Sequence, residues 1–171
     1  EKDKQHGTLV RFQPSSRVYP VKSLPLHFIE SRVWDIALAN PKLRVEFNGK
    51  HLATEGKDPV LTALSKTGKA SLISIKTSRL WSRFYIVPGI VEDEHVHSLV
   101  NNIPVFQGGP HVDEFRTLFY GALAEILEPR VRAVANYKGK EKLITKADLT
   151  TGLLIYNITT MDDPHFDSQT K

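Results

Sequence analysis

At 171 residues, with 40% hydrophobic and 25% charged side chains, the sequence has room for one ordinary domain or two small ones and the proportions of a globular protein. A formal charge of +4 permits binding to a polyanion without requiring it. The absence of cysteine excludes disulfides and thiolate metal sites, and no apolar run reaches the roughly 18 residues of a membrane span.

The chain opens on Glu1 without methionine or a secretory signal, and reads as part of something longer. Gly7 to Phe12 predicts a short β-strand, ended by Pro14, Ser15 and Ser16. A helix follows, with Phe28, Ile29, Val33, Ile36 and Ala37 at helical spacing. Asn40-Pro41 closes it, because proline disfavours the helical conformation of the residue before it. Leu43, Val45 and Phe47 alternate along a strand, and Asn48-Gly49 is a preferred hairpin turn back into Lys50 to Ala53. Pro59 to Ser65 predicts a short helix, and Ser71 to Ile75 and Arg83 to Val87 predict sheet strands. Glu92 to Glu94 reads as a charged turn leading into a strand from Val96 to Val105. Gly108-Gly109-Pro110 then opens a second long helix, whose expected buried stripe is Phe115, Leu118, Phe119, Ala122, Ile126 and Leu127. Arg130 to Lys142 is expected to be a polar, basic connection. Thr145-x-x-Asp148 has the spacing of a capping box, and Leu153 to Ile158 reads as a strand covered on both faces.

The chemistry-bearing residues are scattered. Gln169 and Lys171 flank a hydroxyl residue at the end of the chain, where an amide donor and a point charge suit a phosphate. Gly108-Gly109 before a helix could cradle an anion, although a tight strand-to-helix turn explains the pair better. Asn101 and Asn102 suit satisfying backbone groups rather than catalysis. His95 and His97 share a strand face, and Asp162, Asp163, His165 and Asp167 cluster near the end, but neither set forms a recognised metal-ligand frame. No metal site is expected in this chain.

Four blocks, Gly7-Thr8-Leu9-Val10-Arg11-Phe12, Val100-Asn101-Asn102-Ile103, Gly108-Gly109-Pro110-His111 with Phe115-Arg116, and Gln169-Thr170-Lys171, resemble in order and spacing the type IIA DNA topoisomerases: gyrase B proteins, topoisomerase II and phage enzymes. The resemblance covers almost the whole chain. It implies an α+β architecture: the end of a Bergerat-type ATPase sheet in residues 1–56, then an α/β transducer domain in residues 57–171 with helices packed on a mixed sheet. It further implies that Thr8 takes part in adenine recognition and Val10 forms an apolar wall, with Gln169 and Lys171 on the ATP phosphates. A cation at the terminal phosphate stabilises charge that builds during phosphoryl transfer and loses its contact afterwards. Lys171 is therefore the catalytic candidate. Arg116 corresponds to a basic position facing DNA, and Arg130, Arg132, Lys138, Lys140 and Lys142 could extend that lining. Pro110 stands where the family usually has threonine, which argues against side-chain capping of that helix.

The function this implies is part of the ATP-operated clamp of a topoisomerase, coupling ATP binding and hydrolysis to DNA strand passage. The implied associates are ATP, Mg2+ held by ligands outside this chain, double-stranded DNA, a second copy of the ATPase region and the cleavage core, within the cell and off the membrane. The chain alone is expected to turn over no ATP. Two alternatives stand beside it: a non-enzymatic nucleic-acid-binding module, and a related clamp ATPase of the mismatch-repair or chaperone type.

Overall fold

The structure, a computed structural model, describes residues 7–18, 25–52, 57–106 and 108–165. The chain from Gly7 to Val18 is exposed and joins no sheet, so the strand expected at Gly7 to Phe12 is not formed. An extended segment becomes a strand only when neighbouring backbone takes up its N–H and C=O groups, and no described segment does so here.

Helix α1 (Leu26–Ala39) and the two-stranded ribbon β1 (Glu46–Phe47) and β2 (Lys50–His51) follow. Asn48 and Gly49 adopt φ of 50° and 74° at the turn, as its sequence predicts. Helix α2 (Pro59–Ser65) begins at Asp58, whose carboxylate accepts the Leu61 N–H at 3.0 Å. Strands β3 (Ser71–Lys76), β4 (Leu80–Pro88), β5 (His95–Val100) and β6 (Ile103–Pro104) precede helix α3 (Pro110–Val134), the short helix α4 (Lys146–Thr150) and strand β7 (Leu153–Met161).

The single strand expected from Val96 to Val105 is two. Asn101 and Asn102 take left-handed backbone, φ 48° and 66°, and fold it into the β5–β6 hairpin. Asparagine is among the few side chains that tolerate this region. The expected connection from Arg130 begins instead as helix, because α3 runs through Pro129 to Val134. The capping box at Thr145 and Asp148 is present, with the Thr145 N–H bonded to Asp148 Oδ2 at 2.7 Å.

The larger sheet has the order β3-β4-β7-β5-β6, in which β5 and β7 run parallel and every other pair antiparallel. Last in sequence, β7 is central in space. Because side chains alternate along it, Leu153 and Ile155 join Phe84, Ile86, Phe115 and Tyr120 under α3. Ile158 joins Tyr85, Leu99 and Val60 on the other face, against Leu38 and Ala39 of α1 and Leu61 and Leu64 of α2. Phe115 stacks on Phe84 with ring centres 3.7 Å apart.

Two helical stripes need correction. Leu118 and Ile126, expected to be buried, are 64% and 57% exposed, because α3 lays only the side carrying Val112, Phe115 and Tyr120 on the sheet. In α1 the buried residues are Asp35 and Ala37, while Phe28 is 65% exposed. Only the second half of that helix meets the sheet.

Candidate functional site

Of the residues the sequence singles out, Gln169 and Lys171 lie outside the described residues. Thr8 and Val10 lie in the exposed N-terminal stretch, and Val10 is 78% exposed, so no described residue closes an adenine pocket around them. Among the described residues no group of three His, Asp or Glu side chains is placed to hold a metal ion.

Arg116 is half-buried on α3 and already paired. Its Nε donates to Glu94 Oε1 at 2.9 Å and its Nη2 to Glu94 Oε2, while the Tyr120 hydroxyl donates to the same carboxylate. The paired Glu94 raises the Arg116 pKa above its ordinary value, and burial with the Glu94 charge raises that of Tyr120. Arg116, Thr117, Tyr120, Lys142 and Lys146 line a groove of about 560 Å³ between α3 and α4. Sequence reasoning takes Glu94 for a turn residue. Its partners are 22 and 26 positions away, and no local pattern announces them.

Of the remaining basic candidates, Arg132 is occupied locally. It pairs with Glu128 at 2.8 Å, donates to the carbonyls of Gly139 and Glu141, and lies over the Tyr137 ring. Arg130, Lys138 and Lys140 are exposed.

At the other end of the sheet, α1 is held by polar contacts. Asp35 accepts from Arg32 Nη1 at 2.8 Å and from the Tyr156 hydroxyl at 2.9 Å, and it bonds His97 Nε2 at 3.0 Å. Burial pushes the Asp35 carboxyl up, but the His97 hydrogen bond and charge, with the bonds from Arg32 and Tyr156, outweigh it and hold the group below its ordinary value. Burial and the Asp35 charge raise the Tyr156 pKa. His97, weighed as a metal ligand in the sequence, is a partner of α1.

Under the first turn of α3 lies a buried polar network. Asn157, fully buried, donates to Ser82 Oγ at 3.0 Å and to the Arg83 carbonyl, and accepts from Ser98 and Thr159. Ser98 Oγ also lies 3.0 Å from His111 Nε2. Gly109 caps α3 with φ 147° and, having no side chain, makes no side-chain bond, and Pro110 follows at the start of the helix.

A family model for DNA gyrase B matches residues 87–171. The DNA gyrase B protein of Campylobacter jejuni is 27% identical over 99% of this chain, and DNA topoisomerase 2 from Arabidopsis thaliana is 26% identical over 98%. The chain is similar to type IIA DNA topoisomerases over almost its whole length. It spans 23% and 11% of the lengths of those two relatives. The ATPase region of topoisomerase II from Saccharomyces cerevisiae shares the fold, with a TM-score of 0.66 and 22% identity over 92% of this chain and 39% of that one. A bacterial gyrase and a plant type IIA topoisomerase are thus about equally distant. The mixed sheet with its covering helices is the α+β arrangement that the type IIA resemblance implies.

Proposed function

We propose that this chain forms the nucleotide-sensing end of an ATP-operated clamp, with residues 1–56 completing an ATPase sheet and residues 57–171 acting as the transducer. What supports the reading is the path of β7, which runs down the middle of the sheet and ends at Met161, ahead of Gln169-Thr170-Lys171. A rigid central strand suits a segment that must place one amine against a phosphate. In this reading Lys171 and Gln169 bind the ATP phosphates, and Thr8 and Val10 lie at its adenine end. ATP binding brings two copies together, and one DNA duplex then passes through a break made by the cleavage core. The enzyme works on DNA inside the cell.

Arg116, with Lys142 and Lys146 beside it in the α3–α4 groove, is the DNA-facing charge in this scheme. A DNA phosphate there competes with Glu94 for the guanidinium, so the contact is one of position rather than of sequence.

The experiment is Lys171→Glu in the full-length protein. ATP-driven strand passage is expected to be lost while DNA affinity is retained. Loss of DNA binding with intact nucleotide response supports a nucleic-acid-binding module instead, and wild-type behaviour in both assays overturns the proposal. The 171-residue chain alone is expected to turn over no ATP, and steady hydrolysis by the purified chain would contradict that.

A further inference from the structure

The β5–β6 turn does more than reverse the chain. A hairpin of this kind needs only two residues that accept positive φ, and glycine does so at the least steric cost. Here both positions are asparagine, and each reaches a different element. Asn101 Nδ2 donates to the Met161 carbonyl at 2.9 Å, and its Oδ1 accepts from the Met161 N–H at 3.0 Å. One side-chain amide thus holds both backbone groups of the last residue of β7. The Asn101 N–H adds a bond to the Thr159 carbonyl at 2.9 Å.

Asn102 faces α1. Its carbonyl accepts from Arg32 Nη2 at 2.8 Å, and its Oδ1 accepts from Asn40 Nδ2 at 3.1 Å. Asn40 follows the last residue of α1 and also donates to the Ile36 carbonyl at 2.9 Å. Arg32 is the same residue that pairs with Asp35, which holds His97 and Tyr156. Two adjacent residues therefore tie the end of β7 to the middle and the C-terminal end of α1. Hydrogen bonds weaken steeply with distance and angle, so a shift of about 1 Å at either end moves the other or breaks the set.

We propose that the Asn101–Asn102 turn is a coupling joint, transmitting displacement of the end of β7 to α1. This rests on the reading that Lys171 responds to the terminal phosphate of ATP. Asn101 and Asn102 are positioning residues in that scheme, since both act through Met161, Arg32 and Asn40. The joint gives the nucleotide a route into the helix of residues 26–39 that needs no contact between that helix and the phosphates.

The test uses the full-length enzyme with Asn101→Gly, which accepts the left-handed backbone but lacks the amide, and with Asn101→Asp, which still accepts from the Met161 N–H but cannot donate to its carbonyl. Two quantities are read: strand passages per ATP hydrolysed, and the change in hydrogen exchange of α1 amides on adding a non-hydrolysable ATP analogue. Asn101→Gly is expected to retain ATP hydrolysis while passages per ATP and the α1 response each fall by about threefold or more. Asn101→Asp is expected to fall between it and the parent, and it keeps the idea testable if the glycine variant folds poorly. A lower melting temperature with both quantities unchanged would mean the turn is only structural, and would overturn the inference. A Lys171→Ala arm separates the two readings. If Lys171→Ala leaves both quantities as in the parent, the phosphate-sensing reading fails. If it abolishes the α1 response and Asn101→Gly does not, only the joint fails.

Discussion

His111 enters the fold at the first turn of α3, with Nε2 3.0 Å from the buried Ser98 hydroxyl. Burial lowers its pKa from the ordinary 6.5, against the opposing hydrogen bond with Asn157 and the charge of Asp113. The unfolded chain therefore binds a proton at a pH where the folded chain does not. Stability is full above 6.5 and falls as the pH drops from there toward the lowered folded value. Unfolding midpoints measured between about pH 7.5 and 5 are expected to decline in the parent and to stay flatter in His111→Gln, since the amide does not titrate. A parallel decline in both would show that the ring is not responsible. Asp35 shows what a sequence reveals about such a residue and what it withholds. Its i,i+3 relation to Arg32 is visible in the chain, but its bonds to His97 and Tyr156 cross 62 and 121 positions. For the same reason Glu94 reads as a turn residue while it gathers Arg116 and Tyr120.

Elements whose cause is local were legible. The Asn48-Gly49 turn, the Thr145 cap and the glycine start of α3 each follow from one or two residues. Thr145→Ala is expected to cost about 1 kcal/mol, seen as a lower urea midpoint with an unchanged slope, because it removes the side-chain acceptor at the α4 N-terminus. Elements whose cause is a neighbour were not. The apolar residues of α3 form more than one stripe, and periodicity alone does not say which the sheet covers. The sheet selects Phe115, which is 7% exposed and stacked on Phe84, and leaves Leu118 outside. Phe115→Ala should then cost about 3–5 kcal/mol, whereas Leu118→Ala should shift the midpoint little. Equal effects would mean that the helix is docked by another side. Gly7 to Phe12 has strand composition but no described strand pairs with it, so propensity alone does not make it one. The Asn-Asn pair inside an apolar run was the missed signal for the β5–β6 hairpin.

At the scale of the whole sheet, the described strands leave two borders, β3 and β6, and β3 is the longer and more exposed. Among the described residues strand β3 pairs with β4 alone, and all six of its residues are exposed, including Leu72, Ile73 and Ile75. An apolar strand with a free backbone row is a template for pairing with another chain. Ile73→Lys is expected to reduce concentration-dependent association in light scattering without altering the fold, and unchanged association would place the sticky surface elsewhere. The order of the strands has a further consequence for birth on the ribosome. The β3–β4 hairpin and the β5–β6 hairpin can each form early, but they lie on opposite sides of a gap that only β7 fills, pairing Leu80 with Met161 and Val100 with Thr159. Until residues 153–161 leave the exit tunnel, the two halves have nothing between them and their inner borders stay bare. A nascent chain stalled before Leu153 should therefore be the form that chaperones hold longest, and release of the final strand should be the step that commits it.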